Sequence, residues 1–318
     1  MDRKIFFEDI NSVINDWKNS TFTFYDKNYV PGLDDTNLTY GNGEEKKGIV
    51  INTCVLFVDI RNSVQHTKDK QIRTMGKIYS VFIHCILLAA QQEGGYVRNI
   101  IGDRVMVVFP PENCYTKAVE CAITINHITG LINGKFNNFE FKCGIGVDYG
   151  SISVMKVGVV RKGAENDDNK GLVWAGYPAN FASRLTDCAN KEFTDVVYAV
   201  DTDFYEYNMF VGNLFLGRPS GWYRNTQELT AEKFAESISV NLNGQMISSS
   251  FKNPRSIKKV EKKFSYKPIL LSNKVFQEYK KANPSENSIV NGWWHRQTRK
   301  IRDIDFDVFG ADIHWVFN

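Results

Sequence analysis

Two aspartates stand where their carboxylates could hold a divalent cation. Asp59 directly follows the apolar run CVLFV, which predicts a buried strand, and Asp103 lies in the turn of NIIGDRVMVVF. If this predicted hairpin pairs beside the strand that ends at Asp59, the two carboxylates meet at one edge of a sheet. Two carboxylates with few other ligands suit Mg²⁺ or Mn²⁺ bound together with phosphates. Taken singly, each aspartate also has a local explanation as a helix cap or a turn residue.

The segment after Asp59 is suited to anions. Residues 61–65 turn toward a predicted helix, and the free backbone N–H groups of such a turn, those of Asn62 and Ser63 among them, bind phosphate oxygens. The period of two along a strand places Phe57 on the same face as Asp59. Phe57 is therefore a candidate to pack against a ligand ring, and a simple core phenylalanine is an equal alternative.

A third group of residues lies in GYPANFASRLTD. Asn180 and Arg184 are four apart on a predicted helix and share one face. An amide and a guanidinium in that arrangement could bind a ribose oxygen and a phosphate that is being transferred. Outside this context, a surface helix with a single arginine explains the same residues.

The elements that would position these groups alternate in a regular order. We predict β-α-β-β-α-β-β followed by a helix and a strand, and the strands pair as hairpins. This order favours an α+β fold with a ferredoxin-like sheet and helices on one face. The predicted strands are 49–60, 96–101, 104–109, 139–147, 151–159 and 195–200, the helices are 70–92, 115–132 and 178–189, and 163–170 is a charged loop.

The flanking segments have a different character. Residues 1–47 are predicted to form an N-terminal helical leader, 48–204 the domain that carries the three groups of candidate residues, and 205–318 a β-rich C-terminal extension that packs on that domain or completes it. The lysine-rich segment 251–267 lacks the interleaved aromatic residues of single-strand binders, so we interpret it as a solvated face. We predict no nucleic-acid partner.

The composition favours a cytoplasmic protein. The net charge is +3, and the best apolar run, residues 78–90, is shorter than the ~20 residues of a membrane span. The six cysteines form no CxxC pair, which indicates buried free thiols in a reducing compartment. We therefore predict no membrane insertion.

Together, FVDIRNS, NIIGDRVMVVF and GYPANFASRL, in this order and at this spacing, resemble the class III nucleotidyl cyclases over residues 50–200. The resemblance implies that Asp59, Asp103 and the backbone carbonyl of Ile60 bind two Mn²⁺ or Mg²⁺ ions. It implies that Asn180 orients the ribose and that Arg184 stabilises charge on the α-phosphate as the 3′-hydroxyl attacks. It also implies a head-to-tail homodimer, in which one protomer supplies the aspartates and its partner supplies the asparagine and the arginine.

The positions that read the base depart from the purine enzymes of this family. Where adenylyl cyclases carry lysine and aspartate, and guanylyl cyclases glutamate and cysteine, this chain has Asn99 and Val173. With its extra C-terminal segment, the chain resembles the pyrimidine cyclases of bacterial Pycsar antiphage defence. Those enzymes make cyclic CMP or cyclic UMP, which activates a partner effector protein. The resemblance thus implies a phosphorus–oxygen lyase with a nucleoside triphosphate, CTP or UTP, as substrate.

The choice between the pyrimidines depends on Arg98 and Asn99. Cytosine offers two adjacent acceptors, which suit the donor-only guanidinium of Arg98, whereas the amide of Asn99 can serve either base. On an ideal strand, however, Arg98 points away from Asn99. We expect a cytidylate cyclase that makes 3′,5′-cyclic CMP and pyrophosphate. The alternatives are a uridylate cyclase, an adenylate cyclase with an atypical base pocket, and a catalytically inactive nucleotide-binding domain.

Overall fold

The structure is a computed structural model that describes residues 2–41, 45–61, 72–136, 141–161, 164–206, 220–252, 254–299, 301 and 303–317. It contains two compact units, Met1–Lys191 with Tyr266–Asn318, and Glu192–Ser265. The boundaries between these units differ from the domain boundaries that we predicted at residues 47 and 204. The chain after residue 265 returns to the sheet of the first unit. The three-domain description stays a prediction.

The elements are named here in chain order. The strands are β1 (Phe22–Asp26), β2 (Lys46–Ile60), β3 (Tyr96–Ile101), β4 (Arg104–Val108), β5 (Cys143–Arg161), β6 (Ala164–Ala175), β7 (Glu192–Glu206), β8 (Gly221–Thr230), β9 (Ile238–Val240), β10 (Met246–Ser248), β11 (Pro254–Ser265), β12 (Ile269–Ser272), β13 (His295–Arg296) and β14 (Val308–Ala311). The helices are α1 (Arg3–Asn19), α2 (Ile72–Gln92), α3 (Cys114–Lys135), α4 (Tyr177–Cys188), α5 (Ala231–Ser237), α6 (Asn273–Ala282) and α7 (Asn287–Val290).

The first unit is built on one mixed sheet. Its centre, β5-β2-β4-β3, is antiparallel throughout and follows β-α-β-β-α-β in the chain, which is the ferredoxin-like arrangement that we predicted. Strand β1 pairs in parallel with β2, and β6 pairs with β5. On the other side, β12 joins β5 in parallel and is followed by β14 and β13. The C-terminal residues therefore complete the sheet.

The two faces of strand β2 serve different purposes. Leu56 and Val58 face the main core, which α2 and α3 cover. Phe57, on the opposite face, packs with a smaller cluster that includes Val30 of the leader and Ala182 of α4. Because side chains alternate along a strand, Asp59 shares the face of Phe57 and not the face of the main core.

Helix α2 is apolar enough to be considered as a membrane span. By length and composition alone, its residues Arg73–Gln92 could cross a bilayer, and 33% of that window is buried. Ile78, Phe82 and Ile86 are fully buried in the main core of the first unit. That packing accounts for the apolar residues on the core-facing side of α2, since fully buried positions are usually apolar.

The predicted second hairpin is wrong. Strand β5 runs without interruption for 19 residues, through the Asp148-Tyr149-Gly150 stretch where we expected a turn. Gly150 lies within the strand, and a Cβ there would be 3.4 Å from the Pro178 Cδ at the start of α4. The hairpin partner is β6, whose range includes the predicted charged loop 163–170 from residue 164 onward. Pairing with β5 outweighs the turn-like composition of that segment.

The second unit is built on a three-stranded antiparallel sheet in the order β11-β7-β8. The lysine-rich segment forms β11, where Lys263 pairs with Glu192 at 2.8 Å and Lys262 pairs with Glu228. The side chains of both lysines are exposed. The interpretation of this segment as a solvated face agrees with that exposure.

Candidate active site

Both predicted metal-binding aspartates lie at one edge of the first sheet. Asp59 is the penultimate residue of β2, and Asp103 occupies the two-residue turn between β3 and β4, where Gly102 has a φ of 62°. Val58 is paired with Val105, so the next position along the two strands brings Asp59 level with Arg104. The register thus places the turn that carries Asp103 beside the end of β2.

The carboxylate of Asp59 is flanked by two arginines that the sequence analysis did not single out. Its Oδ2 lies 2.8 Å from Nη2 of Arg104 and 3.6 Å from Nη1 of Arg61. The Asp59 side chain is only 16% exposed. Charge-assisted hydrogen bonds in such a site are stronger than the same pairs on an open surface.

Arg61 is fixed from several directions. Its Nε donates to the carbonyl of Ala189 at 2.7 Å, and its Nη2 donates to the carbonyl of Thr186. Both acceptors lie at the C-terminal end of α4, where helix carbonyls lack intrahelical partners. A Cβ at position 144 would overlap the guanidinium, so Gly144 on β5 leaves the space that this side chain needs. Burial lowers the pKa of Arg61, and the nearby Asp59 carboxylate opposes that shift.

Helix α4 lies close against the sheet. A Cβ at Gly146 would overlap the carbonyl of Ala182, so glycine permits this approach, and Pro178 in the first turn starts the helix. Four polar residues recur along α4 at spacings of three and four, and hence on one face. We call this set the α4 polar stripe: Asn180, Ser183, Arg184 and Asp187.

Arg104 joins the α4 polar stripe to Asp59. Its Nη1 donates to Oγ of Ser183 at 2.9 Å, and its Nη2 contacts Oδ1 of Asp187 as well as Asp59. Burial tends to lower the pKa of Arg104, but the bonds to Asp59 and Asp187 outweigh it, and the pKa is raised. This guanidinium therefore stays charged and bridges two carboxylates.

Arg184 has different partners. Its Nη1 donates to the carbonyl of Asp303 at 3.0 Å, and its guanidinium lies 5.6 Å from the ring centroid of Phe181. Both Arg184 and Asn180 are exposed. Among the described residues, the hydrogen bond links Arg184 to the C-terminal segment, and neither contact is with Asp59.

A β-bulge lies at the predicted base-reading residues. The pairing of β3 with β4 shifts between Val97 and Asn99, so Arg98 is an extra residue in its strand. Its Nη2 is 3.5 Å from the carbonyl of Val30, and its guanidinium lies 4.8 Å from the ring centroid of Tyr96. Burial lowers the pKa of Arg98. The ideal alternation that we assumed is wrong here, because a bulge redirects side chains locally.

The remaining predicted positions are distributed as follows. Asn99 is exposed on β3 opposite Met106, and Val173 is exposed on β6 opposite Met155. Phe57 is half-buried, and its carbonyl accepts a hydrogen bond from the Thr186 hydroxyl at 3.0 Å. Asn62 and Ser63 lie outside the described residues.

The donor set at this sheet edge fits a hard divalent cation. Two carboxylates and the backbone carbonyl of Ile60 are the oxygen ligands that Mg²⁺ and Mn²⁺ prefer. Within the described part of the chain, no three His, Cys, Asp or Glu side chains converge, so substrate oxygens would have to complete the shell. Because Arg104 is hydrogen-bonded to Asp59, a cation would have to displace its guanidinium or bind Asp59 beside it.

No family model matches the chain. A uridylate cyclase from Xanthomonas perforans is 31% identical over 179 residues, which cover 54% of this chain and 73% of that protein. The chain belongs to the uridylate cyclase family of class III nucleotidyl cyclases. A second relative in this cyclase family, the uridylate cyclase of Burkholderia cepacia, is 29% identical over 55% of this chain and 76% of its own length.

Among solved structures, the adenylyl cyclase CyaB from P. aeruginosa aligns with a TM-score of 0.47 and 12% identity. The alignment covers 83% of this chain and 94% of that one.

The arginines beside Asp59 were missed although both stand in the quoted motifs. Arg61 and Arg104 each lie within two residues of a predicted metal ligand. A register for the hairpin, fixed by pairing Val58 with Val105, would have placed Arg104 opposite Asp59. Contacts of Arg61 with α4 depend on long-range packing, and no local pattern signals them.

Proposed function

We propose that this cyclase converts UTP to 3′,5′-cyclic UMP and pyrophosphate. The observation that carries the proposal is the common sheet edge of Asp59 and Asp103, beside the helix that bears Asn180 and Arg184. The base assignment draws on the relatives, which are named uridylate cyclases. CTP, which we expected from Arg98, is the second candidate, because that guanidinium is donor-only and lies at the bulge.

The chemistry assigns a separate task to each residue. The 3′-oxygen attacks the α-phosphorus and loses its proton, the bond from that phosphorus to the bridging oxygen breaks, and pyrophosphate leaves. Two Mn²⁺ or Mg²⁺ ions would be held by Asp59, Asp103 and the Ile60 carbonyl, and when bound they supply polarisation of the attacking and leaving oxygens. Arg184 would stabilise charge on the α-phosphate, and the amide of Asn180 would hold the ribose.

The assembly that we propose is a homodimer with two shared sites. Arg184 contacts Asp303 and Phe181 within its own chain, so a different geometry or a second chain must bring it to the nucleotide. In the head-to-tail dimer implied by the family, the partner's helix would supply that group. We further propose that the product acts in the cytoplasm as an antiphage second messenger that activates an effector protein.

The base can be tested directly. Purified protein receives ATP, GTP, CTP and UTP in separate reactions with Mn²⁺, and the products are identified by mass spectrometry. We expect cyclic UMP from UTP and at least tenfold less product from CTP. Equal or greater cyclic CMP would reverse the base assignment, and a cyclic purine alone would reject the pyrimidine assignment. Asp59→Asn, purified in the same way, is the matched control, because product made in equal amount by both preparations does not come from the proposed site.

A further inference from the structure

We propose that Arg104 is an internal cation that occupies the metal-binding carboxylate of Asp59 and gates the entry of the divalent ion. The inference rests on the proposed function, since it assigns Asp59 to a metal. When the ion binds, Arg104 leaves Asp59 and stays on the α4 polar stripe. Arg104 is thereby a positioning residue that couples metal binding to the helix bearing Asn180 and Arg184.

Arg104 has hydrogen-bond partners on two elements at once. Its Nη2 lies 2.8 Å from Oδ2 of Asp59 and also contacts Oδ1 of Asp187, while Nη1 bonds to Ser183 at 2.9 Å. Ser183 and Asp187 belong to α4, and Asp59 belongs to β2. Losing the bond to Asp59 therefore leaves Arg104 with a charged partner and a hydroxyl partner, so it is not left as an unpaired charge.

The neighbouring arginine cannot exchange partners in the same way. Arg61 is 10% exposed and is bound to two backbone carbonyls, and Gly144 shapes the space around its guanidinium. Its distance to Asp59 is 3.6 Å, which is an ion pair without hydrogen-bond geometry. Arg104 is 28% exposed, and its hydrogen bonds to Ser183, Asp59 and Asp187 are all to side chains. Of the two cations beside Asp59, Arg104 is the one that can move.

Charge explains why the two cations compete. A divalent ion at Asp59 and a guanidinium hydrogen-bonded to the same carboxylate repel each other strongly at such a short distance. Each binds Asp59 at the expense of the other, so they are negatively coupled. Coupling of this kind is reciprocal. Interactions that hold Arg104 on α4 therefore favour metal binding at Asp59, and loss of those interactions favours the state in which Arg104 binds Asp59.

The competing explanation is a structural ion pair with no role in metal binding. It predicts that substitution of Arg104 or Asp187 lowers stability and leaves the metal affinity unchanged. The gate predicts opposite effects on metal affinity from two substitutions. Arg104→Met removes the competing cation, whereas Asp187→Asn removes the partner that holds Arg104 when the metal is bound.

The test is titration of the full-length protein with Mn²⁺ alone, with free Mn²⁺ followed by electron paramagnetic resonance. We expect Arg104→Met to bind Mn²⁺ about tenfold more tightly than wild type, within the usual range of site-to-site coupling. Asp187→Asn should bind it several-fold more weakly. Lys274→Met, which breaks a remote ion pair with Glu278, is the charge-matched control and should leave the affinity unchanged.

Three results would overturn the gate. They are an unchanged Mn²⁺ affinity in Arg104→Met, an affinity gain that persists when Asp59→Asn is added to Arg104→Met, and a shift in the same direction for Arg104→Met and Asp187→Asn. Circular dichroism verifies folding, and Asp187→Asn still tests the gate if Arg104→Met fails to fold. Opposite affinity shifts without any cyclic nucleotide from wild type would reject the proposed function and keep the gate. Cyclic UMP with an unaltered affinity in Arg104→Met would reject only the gate.

Discussion

Asp59 and Asp148 are carboxylates on adjacent strands of the same sheet, and they differ in the cations that lie near them. Asp59, at the sheet edge, is 16% exposed and has Arg61 and Arg104 within ion-pair distance. Asp148, on β5, is 6% exposed, and within the described residues no cation pairs with it. Burial raises the pKa of Asp148 to about 6, although Ser272 and the backbone of Tyr149 favour its charged form. The two carboxylates therefore differ in the cations that the fold places around them.

The largest difference in activity should be between substitution of Asp59 and substitution of Asp148. Asp59→Asn keeps the size of the side chain but removes the charge that we assign to the metal, so cyclic nucleotide should fall below detection. Asp103→Ala should have the same result. Asp148→Asn is the matched control on the same sheet and should retain activity within about twofold, since nothing places Asp148 in the reaction. Product formation is followed by mass spectrometry, and full activity in folded Asp103→Ala would refute the metal assignment.

The next largest effect on activity should come from Arg184 on helix α4. Arg184→Ala should lower kcat about 10²-fold or more, the size usual when a group that stabilises transition-state charge is lost. Lys274→Ala, another exposed cation of a surface helix in the first unit, should leave kcat unchanged. Steady-state kinetics with UTP measures both.

Shared sites can be tested with the same variant. Inactive Asp59→Ala and Arg184→Ala protomers, when mixed, should regain up to about a quarter of wild-type activity, since random pairing makes half the dimers mixed and each mixed dimer contains one intact site. No recovery from chains that demonstrably exchange would exclude sites built from two protomers.

A smaller effect should appear in the stability of Asp148→Asn. The folded pKa of about 6 exceeds the ordinary value of 3.8, so the native state binds more protons between these values and its stability falls as pH rises through this range. Removing the charge should stabilise the protein at pH 7.5 by about 1–3 kcal/mol and by little at pH 4. Denaturant unfolding at both pH values measures this. An equal gain at both pH values would show that the charge of Asp148 is not the cause.

The smallest effect should come from ion pairs on the open surface of the second unit. Lys263→Met breaks a pair with Glu192 in which both side chains are more than half exposed. Such exposed pairs contribute little to stability, so the unfolding midpoint should barely change. A clear drop in the unfolding midpoint would contradict the expectation that this exposed pair contributes little to stability.

The predictable part of the structure is the part that local pattern controls. The ferredoxin-like order, the Gly102-Asp103 turn and the shared face of Asn180 and Arg184 all follow from periodicity and turn chemistry. The turn expected at Gly150 is wrong, because the pairing of β5 with β2 continues through this residue. The bulge at Arg98 also escaped prediction, since a bulge depends on the pairing of two strands.

At the candidate site, the common sheet edge of the two aspartates follows from the predicted hairpin. The sequence identifies both aspartates as ligand candidates, and the assignment of roles to Phe57, Arg98, Asn99, Asn180 and Arg184 stays a prediction. What local pattern could not supply is the pair of contacts around Asp59. Arg104 reaches it through strand register, and Arg61 is held by the end of α4, so both depend on tertiary structure.

The parallel pairing of β12 with β5 has a consequence for biosynthesis. Strand β5 ends at Arg161, yet its neighbour β12 begins at Ile269, and the whole second unit is translated between them. During translation, the edge of β5 that pairs with β12 therefore stays unpaired until about a hundred further residues have been added. Such contacts between distant parts of the chain form late and leave strand edges open to wrong partners. The newly made cyclase therefore acquires its complete sheet only after synthesis has passed β14.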